Sequence, residues 1–448
     1  MTTPRTVAFH TLGCKLNYAE TSSVRRLFEN DGFTVVPYEQ EADIYILNTC
    51  SVTDNADREC RKSVRQVQRL NPQAKIVVMG CYAQLKPKEI ASIHGVDLVL
   101  GAAEKFRVLD YLNALEGSHQ QVSVYAGDIL LADTFHPSYS MGSRTRTFLK
   151  VQDGCDYKCT FCTIPQARGK SRSAEIRDVV EQAVCIGQSG VKEIVLTGVN
   201  IGDFGNGQFI DLIKELDQIG EISRFRISSI EPNLCSDEII DYVASSERFM
   251  PHFHMPLQSG NNEILGKMRR RYRRELYRER VDRIRSQMPH ACIGVDVITG
   301  FPGESDFHFN DSFHFLEGLE IDYIHAFTYS EREHTPAATM PEVIPIQIRR
   351  ERSTALRNLS LKKKKAHYSR HIGETRSVLF ENTVEKNTVS GFTDNYIRVS
   401  IADSPLFINT IRDIELHKLH FSQDTPVVWS FLQQPVPDVV GVFSNNPS

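Results

Sequence analysis

Apolar and polar positions follow three different patterns along this chain. Up to about residue 135, short apolar runs alternate with amphipathic segments of helical period; the runs are TVAFHT, ADIYILNT, AKIVVMG and VDLVLGA. Buried strands that alternate with helices form parallel sheets with helical crossovers. We therefore predict an open parallel α/β sheet over residues 1–135.

The second pattern covers residues 140–371 and repeats a strand followed by a helix six times. Its strands are RTFLKVQ, EIVLTGV, RFRISSI, MPHFHMPL, CIGVDVI and YIHAFTY. Six such units predict an incomplete version of the eightfold β/α barrel, whose functional sites lie at the carboxyl ends of the strands. Residues 132–144 are the predicted linker between the two regions.

The third pattern covers residues 372–435, where short alternating runs separated by polar turns predict a small β-barrel. The predicted fold class is therefore α/β with a terminal β domain. No stretch approaches the roughly 18 consecutive apolar residues that span a membrane. The N-terminus also lacks the basic segment and apolar run of a secretory signal. We expect a cytoplasmic protein with no membrane partner.

Three cysteines crowd into the segment GCDYKCTFC, directly after the first strand of the barrel region: Cys155, Cys159 and Cys162. Ten cysteines in 448 residues are too few for a disulfide scaffold, and clustered thiols in a reducing compartment more often bind metal. By themselves, three clustered thiolates are compatible with a zinc site that has a distant fourth ligand or with an iron–sulfur cluster. The spacing of three and then two residues, with Phe161 before the last cysteine, favours a cluster with one open iron.

A second set of cysteines is scattered in sequence but equivalent in position. Cys14, Cys50 and Cys81 each lie just past the end of a predicted strand, and ligand crevices in open α/β sheets form at that edge. The alternative is three unrelated buried thiols, because free cysteine is often simply buried. Their shared position favours a second open cluster. The other cysteines are predicted to be ordinary thiols: Cys60, Cys185, Cys235 and Cys292.

The sequence motifs around the cysteines resemble those of a known family. CDYKCTFC resembles the CxxxCxxC signature of the radical S-adenosylmethionine (SAM) enzymes, and GCKLN, NTCSVT and GCYAQ resemble the methylthiotransferase family among them, over nearly the whole chain. Four segments are most similar to its MtaB type, which modifies N6-threonylcarbamoyladenosine at tRNA position 37: GCKLN, NTCSVT, CTIPQARGKSRS and SSIEP. Methylthiolation of isopentenyladenosine in tRNA, or of a ribosomal protein, is the alternative.

This resemblance implies cofactors, partners and a mechanism. It implies a TRAM-like terminal domain and two [4Fe–4S] clusters, one on each set of three cysteines. One SAM would donate a methyl group to sulfur at the cluster on Cys14, Cys50 and Cys81. A second SAM, at the triplet, would be cleaved to a 5′-deoxyadenosyl radical that removes hydrogen from adenine C2. An aromatic C–H bond offers no acidic proton, so no acid–base catalytic residue is expected. A low-potential electron donor, such as a flavodoxin or ferredoxin, and a sulfur source complete the implied partners.

Residues at or near the ends of the barrel strands are the candidates for holding SAM. The glycine-rich LTGVNIGDFG is equally typical of an ordinary turn, and a helix cap or surface position is the alternative for Glu231. The candidates are Phe161, Thr197, Gly198, Asn200, Glu231, Gln258 and Asp296.

Candidate RNA contacts come from two basic segments and one aromatic pair. The chain has a net charge of -4, but residues 267–285 hold ten basic residues against three acidic ones, and LKKKK begins at residue 361. Such runs are either solvated helix faces or phosphate tracks. Residues 372–431 carry five basic against eight acidic residues; an aromatic pair there is expected to stack on bases or to supply one core residue. The candidates are Arg269, Arg270, Arg271, Lys362, Lys363, Lys364, Phe392 and Tyr396.

Two functions from other classes also fit parts of the pattern. A zinc-dependent RNA-binding protein without enzymatic activity accounts for the cysteines and the basic segments. A two-cluster electron carrier accounts for both cysteine sets, but it needs neither SAM nor a β/α barrel. Metal content separates the first of these from the enzyme, and SAM cleavage on reduction separates the second.

Overall fold

The computed structural model describes residues 5–50, 54–115, 122–140, 145–385, 388–402, 405–422 and 425–430. The chain divides into two compact units, residues 1–364 and 365–448. Across the described residues, no helix has the length and apolar character needed to cross a membrane.

The strands of the first unit are β1 (Thr6–Thr11), β2 (Thr34–Val36), β3 (Ile44–Thr49), β4 (Lys75–Gly80), β5 (Leu98–Leu100), β6 (Ser123–Tyr125), β7 (Ser138–Tyr139), β8 (Arg146–Lys150), β9 (Gln152–Asp153), β10 (Arg172–Ser173), β11 (Glu193–Thr197), β12 (Arg224–Ile227), β13 (His252–Gln258), β14 (Cys292–Thr299) and β15 (Tyr323–Thr328). The strands of the second unit are β16 (Thr375–Glu385), β17 (Thr388–Thr393), β18 (Arg398–Ala402), β19 (Ile411–Glu415), β20 (Lys418–Ser422) and β21 (Thr425–Trp429).

The helices are α1 (Lys15–Asn30), α2 (Asp54–Leu70), α3 (Cys81–Leu85), α4 (Pro87–Ala91), α5 (Val108–Leu115), α6 (Ile164–Arg168), α7 (Ile176–Gln188), α8 (Phe209–Leu216), α9 (Asp237–Ser245), α10 (Asn262–Lys267), α11 (Arg274–Gln287), α12 (Asp306–Glu317) and α13 (Ile346–Arg370).

The N-terminal region forms the predicted parallel sheet, in the order β2-β1-β3-β4-β5-β6. Its central strands are covered on both faces, since alternate residues of a strand point to opposite sides. Ile44 and Ile46 belong to the core that includes α1 and α5, whereas Tyr45 and Leu47 belong to the core that includes α2. This double cover explains why these strands read as continuous apolar runs.

Helix α1 begins at Lys15, immediately after Cys14. Its buried stripe contains Leu16, Glu20, Val24 and Phe28, spaced four residues apart as one face of a helix requires. A glutamate therefore occupies a position that the period assigns to the core.

The second region forms an incomplete barrel of six parallel strands, as predicted. Strands β8, β11 and β12 pair in one parallel set, and β13, β14 and β15 pair in another. Parallel bridges from Phe225 to Phe249 and from Ser229 to His254 join β12 to the β13 side. The predicted linker contributes β7, which pairs antiparallel with β8; its residues 141–144 lie outside the described part of the chain.

The second unit contains a six-stranded, mainly antiparallel sheet in the order β19-β16-β17-β18-β21-β20. Its core includes Phe380, Val399 and Val428. Phe392 and Tyr396 lie outside that core, half-buried and stacked on each other with ring centroids 4.8 Å apart. The expectation that one of this pair fills the core is therefore wrong.

Candidate metal centres

Cys14, Cys50 and Cys81 lie at the carboxyl ends of three adjacent parallel strands. β1, β3 and β4 are neighbours in the sheet; Cys50 directly follows β3 and Cys81 directly follows β4. Cys14 lies between β1 and α1. The predicted shared edge is thus present in the structure.

The chain passes close to Cys50 at Gly13. This glycine has φ +111°, and a Cβ there would lie 2.5 Å from the Cβ of Cys50. Only glycine fits both the backbone conformation and the space. Cys50 and Cys81 are buried, whereas Cys14 is exposed. Burial raises the pKa of the Cys81 thiol, and the nearby charges of Arg168 and Lys105 oppose that rise.

Cys155, Cys159 and Cys162 share the loop between β9 and α6. The loop aims backbone amides at two of its sulfurs: Tyr157 N–H donates to Cys155 Sγ at 3.4 Å, and Ile164 N–H donates to Cys162 Sγ at 3.5 Å. Burial raises the pKa of Cys155 to about 11 and that of Cys162 to about 12. Metal ligation would therefore release protons from these thiols.

The third sulfur of this loop is contacted by a buried arginine. Arg270 Nη1 donates to Cys159 Sγ at 3.1 Å, and Nη2 pairs with the Glu231 carboxylate. Its Nε donates to the Tyr272 hydroxyl at 3.1 Å, which in turn donates to backbone carbonyls of β13. The side chain of Arg270 is 4% exposed. Burial raises the pKa of Glu231, and Arg270 opposes that rise.

Gln152 ties the cysteine loop to the end of the second barrel strand. Its Nε2 donates to the carbonyl of Gly154 at 2.8 Å, and its Oε1 accepts from the backbone amide of Asn200 at 2.8 Å. Thr197 ends β11, and Gly198 follows it against Gln152. The glycine-rich segment therefore lies beside the triplet.

A cavity of about 260 Å³ opens beside the triplet, and three of the SAM candidates line it: Phe161, Gln258 and Asp296. Asp296 Oδ1 lies 3.0 Å from His254 Nε2 and 3.2 Å from His325 Nδ1. Burial opposes ionisation of Asp296, but hydrogen bonds from both imidazoles outweigh it and hold its pKa well below the ordinary range. His325 was missed from the sequence; its only signal is the alternation within YIHAFTY.

The RNA candidates occupy different environments. Arg269 and Arg271 are exposed between α10 and α11, with the Arg271 guanidinium 3.8 Å from the Tyr157 ring centroid. Arg270 is not on the surface, because it is buried against Cys159, so it does not belong to a phosphate track. Of the lysines on α13, Lys362 is exposed and Lys364 is half-buried. Lys363 donates to the carbonyls of Glu317 and Leu319 at 3.0 and 2.7 Å.

The donor sets suit a polynuclear cluster better than a single zinc ion. None of the six thiols forms a disulfide bond. With Zn–S bonds of ~2.3 Å, the sulfurs of a tetrahedral zinc site lie roughly 3.8 Å apart. Within the described residues, neither set has its three sulfurs all within 4.8 Å of one another. A [4Fe–4S] cluster instead binds each thiolate to a different iron, so three thiolates leave one iron open.

A buried group of charges was missed entirely at the sequence level. Ion pairs link five side chains that are nearly inaccessible to solvent: Glu20, Lys105, Lys150, Asp153 and Arg168. The one available signal was Glu20 at a core position of α1. Its partners come from elements far apart in sequence, which no local pattern could bring together.

Known proteins match both regions of this chain. An uncharacterized protein family, UPF0004, matches residues 6–101, and the radical SAM superfamily matches residues 149–316. The radical SAM methyltransferase TsrM from Kitasatospora setae shares the fold, with a TM-score of 0.57 at 14% identity over 75% of this chain and 77% of that one.

Sequence relatives extend over nearly the full length. Threonylcarbamoyladenosine tRNA methylthiotransferase MtaB of Bacillus subtilis is 37% identical, covering 92% of this chain and 94% of the relative. The protein of the same name from Aquifex aeolicus is 39% identical, covering 88% and 96%. A tRNA-2-methylthio-N6-dimethylallyladenosine synthase from Staphylococcus haemolyticus is 29% identical, covering 92% and 82%. The chain therefore belongs to the radical SAM methylthiotransferase family, as an enzyme of SAM and [4Fe–4S] chemistry most similar to the MtaB type.

Proposed function

We propose that this enzyme adds a methylthio group to C2 of N6-threonylcarbamoyladenosine at position 37 of tRNA, in the cytoplasm. The observation that carries the proposal is the pair of cysteine sets, each at the carboxyl end of parallel strands and each with three thiols. The names of the relatives at 37% and 39% identity support the nucleoside. In this proposal, residues 1–135 form the methylthiotransferase domain, 140–371 the radical SAM domain and 372–435 a TRAM-like domain.

The two cysteine sets would have different tasks. Cys155, Cys159 and Cys162 would hold the cluster that binds SAM, and Cys14, Cys50 and Cys81 would hold an auxiliary cluster. When bound, these groups supply the one-electron chemistry that activates an aromatic C–H bond, which side chains alone cannot provide.

The protein's own residues position the reactants. Arg270 and two backbone amides orient the triplet's sulfurs, and Gln152 fixes that loop against the residues after β11. The cavity lined by Phe161, Gln258 and Asp296 is the proposed place for SAM and the adenine ring.

Contacts to SAM and tRNA complete the proposal. Thr197, Gly198, Asn200 and Glu231 lie near the triplet and would contact SAM beside the cavity residues. The proposed tRNA contacts are Arg269, Arg271, Lys362, Lys363, Lys364, Phe392 and Tyr396. A low-potential electron donor and a sulfur source are required as further partners.

Mass spectrometry of tRNA nucleosides tests the proposed substrate. Cells that lack this protein should lose 2-methylthio-N6-threonylcarbamoyladenosine, retain its unmodified precursor and regain the product when the gene is returned. Loss of the methylthio derivative of isopentenyladenosine instead would reassign the substrate. No change in either nucleoside would refute a tRNA substrate of this kind.

Metal analysis tests the proposed cofactors and residue roles. Anaerobically prepared enzyme should hold roughly eight irons per chain, as two four-iron clusters require; one or two zinc ions would favour the RNA-binding alternative. Cys14→Ala should retain reductive SAM cleavage and lose methylthiolation, whereas Cys159→Ala should lose both. A Cys14→Ala enzyme that still forms product would contradict the auxiliary site.

A further inference from the structure

Five charged side chains form a network in the interior of the first unit, which we call the buried charge cluster. Arg172 lies at its edge, with Nη2 3.7 Å from the Asp153 carboxylate. Glu20 is fully buried and accepts from Lys105 at 2.5 Å, from Lys150 at 2.9 Å and from Arg168 at 3.0 and 3.1 Å. Asp153 contacts Lys150 at 2.7 Å and Arg168 at 2.9 Å. Three cations thus face two carboxylates, and each carboxylate bridges two or more of them.

The members come from both halves of the unit. Glu20 lies on α1 and Lys105 lies in a 3-10 turn after β5, so both belong to the N-terminal sheet region. Lys150 ends β8, Asp153 ends β9 and Arg168 ends α6, so these three belong to the barrel. Glu20 is therefore a junction at which a carboxylate of one region binds two cations of the other.

The buried charge cluster reaches the auxiliary cysteine set. Arg168 Nη2 donates to Asn17 Oδ1 at 2.7 Å, and Asn17 Nδ2 donates to the carbonyl of Thr49 at 3.2 Å. Asn17 lies three residues after Cys14 on α1, and Thr49 directly precedes Cys50. The charge of Arg168 also acts on Cys81.

The same cluster reaches the triplet. Asp153 Oδ1 accepts from the backbone amide of Gly154 at 2.9 Å, and Gly154 directly precedes Cys155. Arg168 lies six residues after Cys162, at the end of the helix that follows the loop. Arg168 thus donates hydrogen bonds to Asn17, three residues after Cys14, and to Asp153, two residues before Cys155.

Stability alone gives a poor reason for this arrangement. Taking several charges out of water is costly, and apolar side chains of similar volume are often at least as stable. A bidentate network, however, has only one geometry in which every partner is satisfied, so it fixes the elements that carry it. A reaction between groups held at two sites needs such fixed spacing.

We propose that the buried charge cluster is a positioning device that holds the auxiliary cysteine set and the SAM-binding triplet in one register, with Glu20 and Arg168 as its positioning residues. This inference rests on the proposed two-site function. It assigns neither residue a contact with substrate. The device acts by aligning the place where sulfur is donated with the place where the radical is formed.

The test compares Glu20→Gln with the matched control Glu193→Gln in the full-length, reconstituted enzyme. Glu193 is equally buried and pairs with Arg226 at 3.1 Å, but it begins β11, whereas the residues that contact Gln152 beside the triplet follow the carboxyl end of that strand. The first readout is the ratio of 5′-deoxyadenosine to methylthiolated nucleoside. Because a misplacement of about 1 Å can reduce a rate by roughly a hundredfold, we expect that ratio to rise at least about tenfold in Glu20→Gln and to stay at the wild-type value in Glu193→Gln.

The second readout is amide hydrogen exchange of the metal-free full chain, which needs no activity. Glu20→Gln should raise exchange both around Cys14 and Cys50 and in the segment from Asp153 to Arg168, whereas Glu193→Gln should raise it in neither. If Glu20→Gln does not fold, Arg168→Lys retains the charge, loses the bidentate geometry and should show the same two effects.

The outcomes separate this inference from the proposed function. A wild-type enzyme that forms no methylthiolated nucleoside refutes the proposed function. In that case the hydrogen-exchange data, without the product ratio, test whether the buried charge cluster positions the two cysteine segments. Product ratios equal in the Glu20 and Glu193 variants would overturn the inference. Faster exchange at only one of the two cysteine segments would overturn it as well.

Discussion

Replacing Arg270 with glutamine tests whether the triplet loop depends on a buried guanidinium. The change removes the donor to Cys159 Sγ and the cation partner of Glu231, whose side chain is 15% exposed. Leaving one member of a buried pair without its partner costs about 3–5 kcal/mol. Protonation of Glu231 relieves part of this penalty, because burial already raises its pKa. We therefore expect a loss of about 3 kcal/mol.

This free energy converts to a measurable shift in melting temperature. With an unfolding entropy of ~2.1 cal/mol/K per residue, a cooperative unit of 364 residues loses roughly 1.3 °C per kcal/mol, so Arg270→Gln should melt about 4 °C lower. Arg271→Gln is the matched control, because Arg271 is exposed and contacts the face of Tyr157. An exposed cation–π contact contributes about 0.5–1 kcal/mol, which corresponds to a shift of about 1 °C.

A second variant and a pH series isolate Glu231 as the cause. The double variant Arg270→Gln/Glu231→Gln removes the buried carboxylate and should recover much of the lost stability. A carboxyl whose pKa is raised by folding destabilises the folded state as pH rises above its unfolded pKa of about 4.3. The difference in melting temperature between the single and double variants should therefore be small near pH 4 and increase toward neutral pH. Equal melting of Arg270→Gln and Arg271→Gln, with no recovery in the double variant, would refute this reasoning.

Two further predictions concern the other set of cysteines and the buried charge cluster. Gly13→Ala forces a Cβ against Cys50 at φ +111° and should lose about half of the bound iron, whereas Gly32→Ala, at φ +86° with open space around it, should retain all of it; equal iron contents would contradict the close-approach argument. Burial would raise the pKa of Asp153, but Lys150 and Arg168 outweigh it and hold it well below the ordinary range. The stabilisation from ionised Asp153 is thus complete above its unfolded pKa of about 3.9. The melting temperature of the wild-type protein should therefore fall more steeply than that of Asp153→Asn as pH falls below about 4. Parallel curves of melting temperature against pH would contradict this prediction.

The features that could be predicted from sequence are those that depend on neighbouring residues. The six barrel strands and the triplet each occupy one continuous segment, so local pattern reveals them. Cys14, Cys50 and Cys81 required one further rule, that parallel strands end at the same edge of a sheet. The contacts of Glu20 and Arg270 depend on which elements pack together, and no local pattern contains that information.

Phe392 and Tyr396 illustrate the same limit on a smaller scale. Both are aromatic residues in a small β domain, and composition alone favours the core for at least one of them. Tyr396 adopts φ +67° in the turn after β17, which places it outside the strand alternation. Its ring stacks on Phe392 rather than entering the core. The turn geometry, and not the hydrophobicity of the two residues, decides where they lie.

The basic run at residues 267–285 shows why a count of charges does not give a surface potential. Several of its cations pair with acids that lie outside the run: Lys267 with Glu263, Arg270 with Glu231, Arg274 with Asp311, Arg280 with Asp237, Arg283 with Asp241 and Arg285 with Asp322. Arg269, Arg271 and Arg273 are exposed and have no acid within salt-bridge distance among the described residues. They occupy the connection between α10 and α11, and Arg271 contacts Tyr157 inside the triplet loop. Three of the cations available to a phosphate therefore lie in the segment that reaches the candidate metal centre, and Arg278 is exposed on α11. The acids of neighbouring elements neutralise much of the remaining run.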